Sequence, residues 1–323
     1  MWDLNRLRLL RELELRGTIA SVAASLDYSP SNVSQQLSQL EREVGVPLLE
    51  PDGRRLRLTP RGQAVARYAE QVMRLEERTQ SKLTTFGPGT ETLRVATIAS
   101  ATRALIPRAL DIIEANGGRL RVEVFVVAPE LGLAELDARH YDLVIAEQYP
   151  GHAREHHEGI DYQHLGNDPM RVVLSPRSTA RTLGDLQHHA WILEPEGTAA
   201  RYWAVQQCRA AGFEPDVRFE ATDLDTHIAL IASGHAAGIL PDLIWAGHEP
   251  PLRLLDLPTP LEREVFTAVR ASSSGSAGIE IIRAALSNAL GAHDPEARLP
   301  EAPPRRRTTD EPSSTSERIA TGE

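Results

Sequence analysis

Along residues 4–86 the apolar positions recur at helical spacing. Residues 4–16 place Leu4, Leu7, Leu10 and Leu15 near one face with charges between them, the pattern of an amphipathic helix. Gly17 supplies a stop, because a left-handed backbone costs least at glycine. Thr18-Ile19-Ala20-Ser21 opens a short alanine-rich helix that runs through Leu26, and its small side chains permit close helix–helix approach. The turn Asp27-Tyr28-Ser29-Pro30 leads into a third helix, with Ser29 as N-cap and Pro30 at the first helical position. In this helix Val33, Leu37, Leu40 and Val44 form a single stripe to be buried. Its opposite face carries Ser31, Asn32, Ser34, Gln35, Ser38 and Gln39, with no acidic or lysine side chain before Glu41.

Pro47-Leu48-Leu49-Glu50 and Arg54-Arg55-Leu56-Arg57-Leu58-Thr59 read as two short strands around Asp52-Gly53, a hairpin signal. Residues 61–86 then read as one long helix. Val65, Tyr68, Val72, Leu75, Thr79 and Lys82 alternate in steps of three and four, the seam of a dimerising coiled coil, or of a helix packed on its own domain. Gly87-Pro88-Gly89 breaks the chain, so residues 87–92 are expected to form a hinge.

From Leu93 the pattern changes to alternating strands and helices. Strands are expected at 93–98, 120–127, 142–146, 170–174, 191–193, 217–220, 237–240, 252–257 and 264–270. Helices are expected near 100–116, 129–139, 198–211, 223–233 and 276–291. Such alternation argues for α/β structure with mostly parallel sheets. Its two halves (lobe 1 at about 93–161 plus 263–294, lobe 2 at about 162–262) would enclose a cleft for a small ligand. Residues 295–323, with five prolines, many Ser, Thr and Glu and no aromatic, read as a disordered tail.

Composition refines this division. The chain has 323 residues and a net charge of −10, unevenly spread. Residues 1–92 hold 13 basic and 12 acidic side chains, whereas the rest hold 22 and 33, so the acidity belongs to the later domain. The first domain is therefore free to meet nucleic acid. The short polar face of the third helix suits a major groove, where amides pair with adenine and hydroxyls with phosphates or base edges. Arg54, Arg55 and Arg57 on the hairpin would reach phosphates beside it. The single cysteine, Cys208, excludes an internal disulfide framework and a multi-cysteine zinc site. No apolar run approaches the ~18 residues of a membrane span, and the N-terminal stretch lacks the apolar core of a signal peptide, so a cytoplasmic protein away from membranes is expected. His152, His156, His157, His188 and His189 fall in no metal-ligand spacing, and no nucleophile elbow, P-loop or dinucleotide fingerprint sits in its required context. Neither an enzyme, a metal nor a cofactor is expected.

Ala23-Ala24-Ser25-Leu26, Ser29-Pro30-Ser31, Val33-Ser34-Gln35-Gln36-Leu37, Leu40-Glu41, Gly45-Val46-Pro47-Leu48-Leu49 and Leu58-Thr59-Pro60-Arg61-Gly62 together resemble the DNA-binding domain of LysR-type transcriptional regulators, continuously over about residues 2–62. The family often has an aromatic where Leu49 stands and arginine where Pro51 and Gln35 stand, so adenine is favoured over guanine opposite Gln35. Residues 92–293 resemble the same regulators' effector-binding domain, a two-lobed periplasmic-binding-protein-like fold. The resemblance implies a winged helix-turn-helix over 1–60, a dimerising linker helix over 61–86 and an effector-binding domain over 93–294. Its implied partners are double-stranded DNA, a second copy of the chain in a dimer or tetramer, RNA polymerase and a small-molecule effector.

In open α/β sheets ligands sit beyond the carboxyl ends of strands. Those ends supply Ser100 and Thr102 at a helix start, Ala128 and Pro129, Glu194, Glu196, Gly197 and Thr198, Thr222, and Gly238 with Pro241. Glu194 and Glu196 would disfavour a simple anion and accept from an amine or guanidinium, unless they point into solvent. The alternative function is a metabolite sensor acting through a protein partner, with the helix-turn-helix as an interaction module.

Overall fold

The computed structural model describes residues 2–53, 55–84, 91–117, 120–151, 157, 159–245, 248–259 and 261–291. Arg54, the side chain of Arg55, the Gly87-Pro88-Gly89 hinge, His152, His156 and the tail from residue 295 lie outside these.

Helix α1 (Leu4–Arg16) starts on the Asp3 carboxylate, which accepts from the Arg6 N–H, and ends at Gly17 with φ +72°. It buries Leu7, Leu9, Leu10 and Leu13. Leu15, expected on that face, is exposed. At about 100° per residue it stands roughly 140° around the helix from Leu10. Helix α2 (Ile19–Leu26) is capped by Thr18, and α3 (Pro30–Val44) by the Ser29 hydroxyl. Val33, Leu37 and Leu40 of α3 are buried and Val44 partly so.

The wing consists of β1 (Leu49–Asp52) and β2 (Arg55–Leu58), paired antiparallel. Its attachment explains the sequence around it. The Glu41 carboxylate on α3 accepts the Leu48 and Leu49 N–H groups at 2.8 and 3.1 Å. Thr59 donates its N–H to the Leu48 carbonyl and its hydroxyl to the Pro47 carbonyl. The next helix, α4 (Pro60–Thr84), passes so close that a Cβ on Gly62 would stand 2.1 Å from the Leu48 oxygen.

Val65, Ala66, Ala69 and Met73 of α4 are buried in the same core as α1. Val65 was expected in the dimerising seam and instead belongs to this core. By helical geometry the core positions 65, 66, 69 and 73 and the seam positions 68, 72, 75 and 79 centre about 100° apart, and Val65 stands at their border. Leu75, Thr79 and Leu83 remain exposed, Tyr68 is 40% exposed beneath the edge of Trp2, and Val72 is half-buried.

The second domain begins with β3 (Glu91–Thr97), so residues 91 and 92 of the expected hinge are strand. There follow α5 (Ala99–Ala104), α6 (Ile106–Ala115), β4 (Leu120–Val126), α7 (Pro129–Asp137) and β5 (Leu143–Gln148). The single helix expected over 100–116 is two, because Pro107 offers no N–H and would crowd the Arg103 carbonyl in a continuous helix. Then come β6 (Ile160–Leu174), β7 (Ala190–Leu193), α8 (Ala199–Ala210), β8 (Asp216–Glu220), α9 (Leu224–Ala232), β9 (Gly238–Pro241), β10 (Arg253–Asp256), β11 (Glu262–Arg270) and α10 (Ala277–Gly291).

The large sheet has the order β10-β6-β11-β5-β3-β4, with β9 also on β6, and β7 pairs with β8 apart from it. Among the described strands, β3–β4, β3–β5 and β7–β8 pair parallel and the other strand pairs of this domain antiparallel, against the expectation of mostly parallel sheets. The cause is the double crossing between lobes, out along β6 and back along β11. Residues 160–169 of β6 pair with β11, and 170–174 with β9 and β10. The lobe boundary therefore falls near Asp168–Met170 rather than at 161/162, inside one unbroken strand. Lobe 1 packs Val95, Ile145 and Val265 against α5, α6 and α10. Lobe 2 packs around Trp191, Trp203 and Cys208, whose thiol burial pushes up to about 12, far from a nucleophile's range.

Gly62→Ala is expected to cost about 3 kcal/mol, since its methyl meets backbone that cannot yield without moving the wing. Urea unfolding of the full chain measures this; an unchanged midpoint would detach the wing from α4.

Candidate functional site

Two sites emerge, one on α3 and one between the lobes. On α3, Ser31, Ser34, Gln35 and Ser38 are exposed together, while Asn32 and Gln39 are half-buried. Ser29 serves its helix: its hydroxyl accepts the Asn32 N–H at 3.2 Å and lies 3.0 Å from the Ser31 hydroxyl. Pro30 is exposed at the helix start. Gln39 donates to Glu43, which Arg6 also binds, so its amide is turned along the helix rather than outward. On the wing Arg57 is ion-paired with Glu50 at 2.5 Å, both well exposed, an arrangement worth little in water and readily exchanged for a phosphate.

Between the lobes lies a cavity of about 820 Å³. Ser100, Thr102, Ala128, Pro129, Glu194, Thr198, Thr222 and Pro241 line it, as the strand ends suggested. Glu196, Gly197 and Gly238 do not. Glu196 is exposed and pairs with Arg201 at 3.2 Å. Gly197 takes φ +89° in the turn that brings Thr198 to its cap. Gly238 is buried, packed against Ile231 and Ile192. Several expected hydroxyls are already engaged: Thr102 donates to the Ile98 carbonyl, and Thr198 donates to Pro195 and accepts from the Arg201 N–H.

The floor is built on a residue whose role the sequence pattern left unmarked. Arg263, 3% exposed, donates to Asp168 from Nε and Nη2 at 2.9 and 2.8 Å, to Ser100 Oγ at 2.6 Å and to Glu147. Asp168 in turn accepts the Leu243 N–H at 2.8 Å. Ser100, expected to meet a ligand with a free hydroxyl, is 3% exposed and accepts from Arg263. Tyr149 donates to Glu147 at 3.0 Å and packs on Trp203 with ring centroids 5.2 Å apart. Burial, helped by the charge of Glu147, pushes the Tyr149 hydroxyl well above its usual range.

Glu194 ends β7 at the cavity wall. Burial raises its carboxyl to about 7, with further upward pressure from Glu147 and Glu130 and relief from Arg263. His227, 4% exposed, is held below its usual value by burial, and its Nε2 lies 3.0 Å from the Ala221 carbonyl. At the mouth an exposed ion pair, Arg103–Asp225 at 3.0 Å, spans from α5 of lobe 1 to α9 of lobe 2. Among the described residues no group of three His, Cys, Asp or Glu is placed to hold a metal ion, and no helix is long and apolar enough to cross a membrane.

A third arrangement joins the two sites. The C-terminal end of α7 faces α1 and α4. Arg16 makes a bidentate pair with Glu135 at 2.9 and 2.6 Å, and Arg11 bridges Asp137 and Glu70. Arg139, with φ +61°, closes two 3.1 Å bonds on Glu70, which Arg74 also binds. Although burial opposes it, these guanidiniums hold the Glu70 carboxyl at about 2. Further along α4, Glu77 binds Arg270 and Ser272. Apart from the Glu70–Arg74 pair, four residues apart on α4, nothing in the spacing of these charges marked them, because their partners are 59 to 195 residues away.

The raised value of Glu194 makes a pH prediction. Its folded value lies above the ordinary 4.5, so the folded state holds the proton more tightly and loses stability as pH rises from 4.5 through 7. Glu194→Gln is therefore expected to be neutral near pH 4.5 and stabilising by about 1–3 kcal/mol at pH 8. Urea midpoints at both pH values test it; an equal difference at the two would refute the burial of this charge.

Residues 4–63 match the family described as bacterial regulatory helix-turn-helix protein, lysR family, and residues 87–291 match the LysR substrate binding domain. The chain is similar to the transcriptional dual regulator GltC of Bacillus subtilis, 24% identical over 251 residues that cover 77% of this chain and 83% of that protein. It is likewise similar to the DNA-binding transcriptional dual regulator OxyR of Escherichia coli, 26% identical over 250 residues, 72% of this chain and 79% of that one. Among solved structures, a full-length OxyR from Pseudomonas aeruginosa shares the fold with a TM-score of 0.61 at 20% identity, over 88% of this chain and 95% of that one. The structure of CbnR, a LysR family transcriptional regulator, does so with a TM-score of 0.50 at 19% identity, over 88% and 100%. The chain belongs to the LysR family of transcriptional regulators, with a DNA-binding winged helix-turn-helix followed by a LysR substrate binding domain.

Proposed function

We propose that this regulator reads operator half-sites as a dimer through α3 and is switched by a small effector in the interlobe cleft. The observation that carries the reading is the exposure of Ser31, Ser34, Gln35 and Ser38 on one helix face, opposite the buried Val33, Leu37 and Leu40. Short uncharged donors and acceptors on such a face fit base edges and adjoining phosphates. The wing supplies phosphate contacts through Arg57 and, by its place in the sequence, Arg54 and Arg55.

Dimerisation runs through the outer face of α4, where Tyr68, Val72, Leu75, Thr79 and Leu83 share one side, with Leu75, Thr79 and Leu83 left uncovered by this chain. A helix of 25 residues is about 37 Å long, enough for three heptads. Pairing along it sets two copies of α3 side by side, and further association of the effector domains makes a tetramer. The protein works in the cytoplasm, away from membranes and without a cofactor, and acts on transcription through RNA polymerase.

Helix α7 is the physical link between effector and DNA. Its N-terminal residues Ala128 and Pro129 border the cleft. Glu135, Asp137 and Arg139 at its other end hold α1 and α4. A shift of lobe closure that tilts α7 therefore acts on the reading helices through rigid ion-paired contacts. An effector drives it only to the extent that it binds one lobe arrangement better than the other.

Gln35→Ala is expected to weaken operator binding by ~1–3 kcal/mol and to spare affinity for random DNA. Equal losses on both, in titrations at fixed salt, would remove base reading from this residue. Leu75→Glu, on a side chain 66% exposed in the single chain, is expected to leave the melting temperature unchanged while sedimentation shows smaller species and operator binding falls. An undisturbed assembly would move the dimer contact away from α4.

A further inference from the structure

The cleft carries more information than its place between the lobes. Its cationic groups are already engaged within the protein. Arg263 binds Glu147 and Asp168, Arg201 binds Glu196 and Glu220, and Arg103 binds Asp225. An anionic guest that paired with the Arg263 guanidinium at the floor would have to displace an internal carboxylate and strand a buried charge. Apart from the Trp203 Nε1 donor, which is buried without a partner, the unengaged side-chain groups that stand out are of the opposite kind. The Glu194 carboxylate lines the cavity half-buried and has no hydrogen-bond or ion-pair partner among the described residues. His227 also lines it. With its Nε2 donating to Ala221, the buried Nδ1 is left as an acceptor without a partner. Two aromatic rings, Trp203 and Tyr149, and the apolar side chains of Met170 and Ile239 complete the wall.

Resting on the reading of the cleft as the effector site, we propose that the effector is a small organic cation, an amine or guanidinium on an apolar body, bound by the Glu194 carboxylate beside the Trp203–Tyr149 wall. The carboxylate supplies the counter-charge and a charge-assisted hydrogen bond. The ring faces add the attraction of a cation for an aromatic quadrupole, which is largest in a desolvated site. The repulsion of Glu194 by Glu147 and Glu130, present in the empty cleft, becomes an attraction once a positive charge lies among them. A cavity of about 820 Å³ takes a guest of that size together with its apolar body.

The test is calorimetry on the full chain at pH 8, with 2-phenylethylamine and agmatine as cationic probes and 3-phenylpropanoate and glutarate as anionic ones. The expected result is binding of the cations alone, weakened at least tenfold by Glu194→Gln and unchanged by Glu196→Gln outside the cleft. Ala200→Trp, which sets an indole into the cavity beside the Trp203–Tyr149 wall, should abolish it, with melts of each variant confirming a folded chain. Cation binding that survives Glu194→Gln or Ala200→Trp overturns the proposal. Anion binding that Ala200→Trp abolishes also overturns it, but leaves the cleft as the effector site. Binding of no probe overturns the cation assignment, and the operator-binding assays then judge the regulator reading separately.

Discussion

The Arg263 guanidinium lies where the two crossing strands pass between the lobes, and three strands and a helix are arranged around its charge. Asp168 stands directly across from it in the register of β6 and β11, Glu147 reaches it from β5 and Ser100 from α5. Asp168 carries the contact into lobe 2 through the Leu243 N–H. A charge so deeply buried is tolerable only when fully paired, and loss of one partner leaves the others uncompensated. The same pairing shapes the cleft: it consumes the positive charge of the floor, engages the Ser100 oxygen as an acceptor, and leaves the Glu194 carboxylate at the cavity wall without an ion-pair partner among the described residues.

A second set of guanidiniums fixes the DNA-binding unit against lobe 1. Arg11, Arg74 and Arg139 converge on Glu70, and Arg16 holds Glu135 in a bidentate pair. These groups are partly withdrawn from water, where multiply bonded ion pairs are less screened than isolated surface ones. Because α7 touches the cleft at one end and this network at the other, the two sites share one rigid element. On the proposed reading, coupling between ligand and DNA runs through a small reorientation of α7 rather than a long chain of intermediates.

The DNA-binding unit was largely legible in the sequence because its determinants are local. Gly17 and Gly45 end helices with φ +72° and +80°, Ser29 and Thr18 cap them, and the Val33–Leu37–Leu40 stripe declares the buried face of α3. The contacts of Glu41 and Gly62 with the start of the wing, across seven and fourteen residues to Leu48, appeared only with the fold. Where periodicity misled, Val65 stood at the border between two faces and Leu15 stood nearly opposite the face that α1 buries, and only the position of a neighbouring helix could assign them. The alternation of strands and helices likewise gave the α/β class and the cleft, since eight of the eleven strand-end positions do line it.

What the sequence determined by itself was most of the elements, their caps and the faces they would bury, because these depend on interactions within one turn or one hairpin; the first ten residues of β6 were not among them. The antiparallel pairing of β6 with β11, the lobe boundary inside a continuous strand and the Arg263 and Glu70 networks were decided by tertiary structure. Each joins residues distant along the chain, and no local propensity distinguishes a buried, paired arginine from a solvated one. The character of the cleft belongs to the same class. Glu194 was visible as a candidate, but its isolation became apparent only when folding had paired every guanidinium around it with another carboxylate.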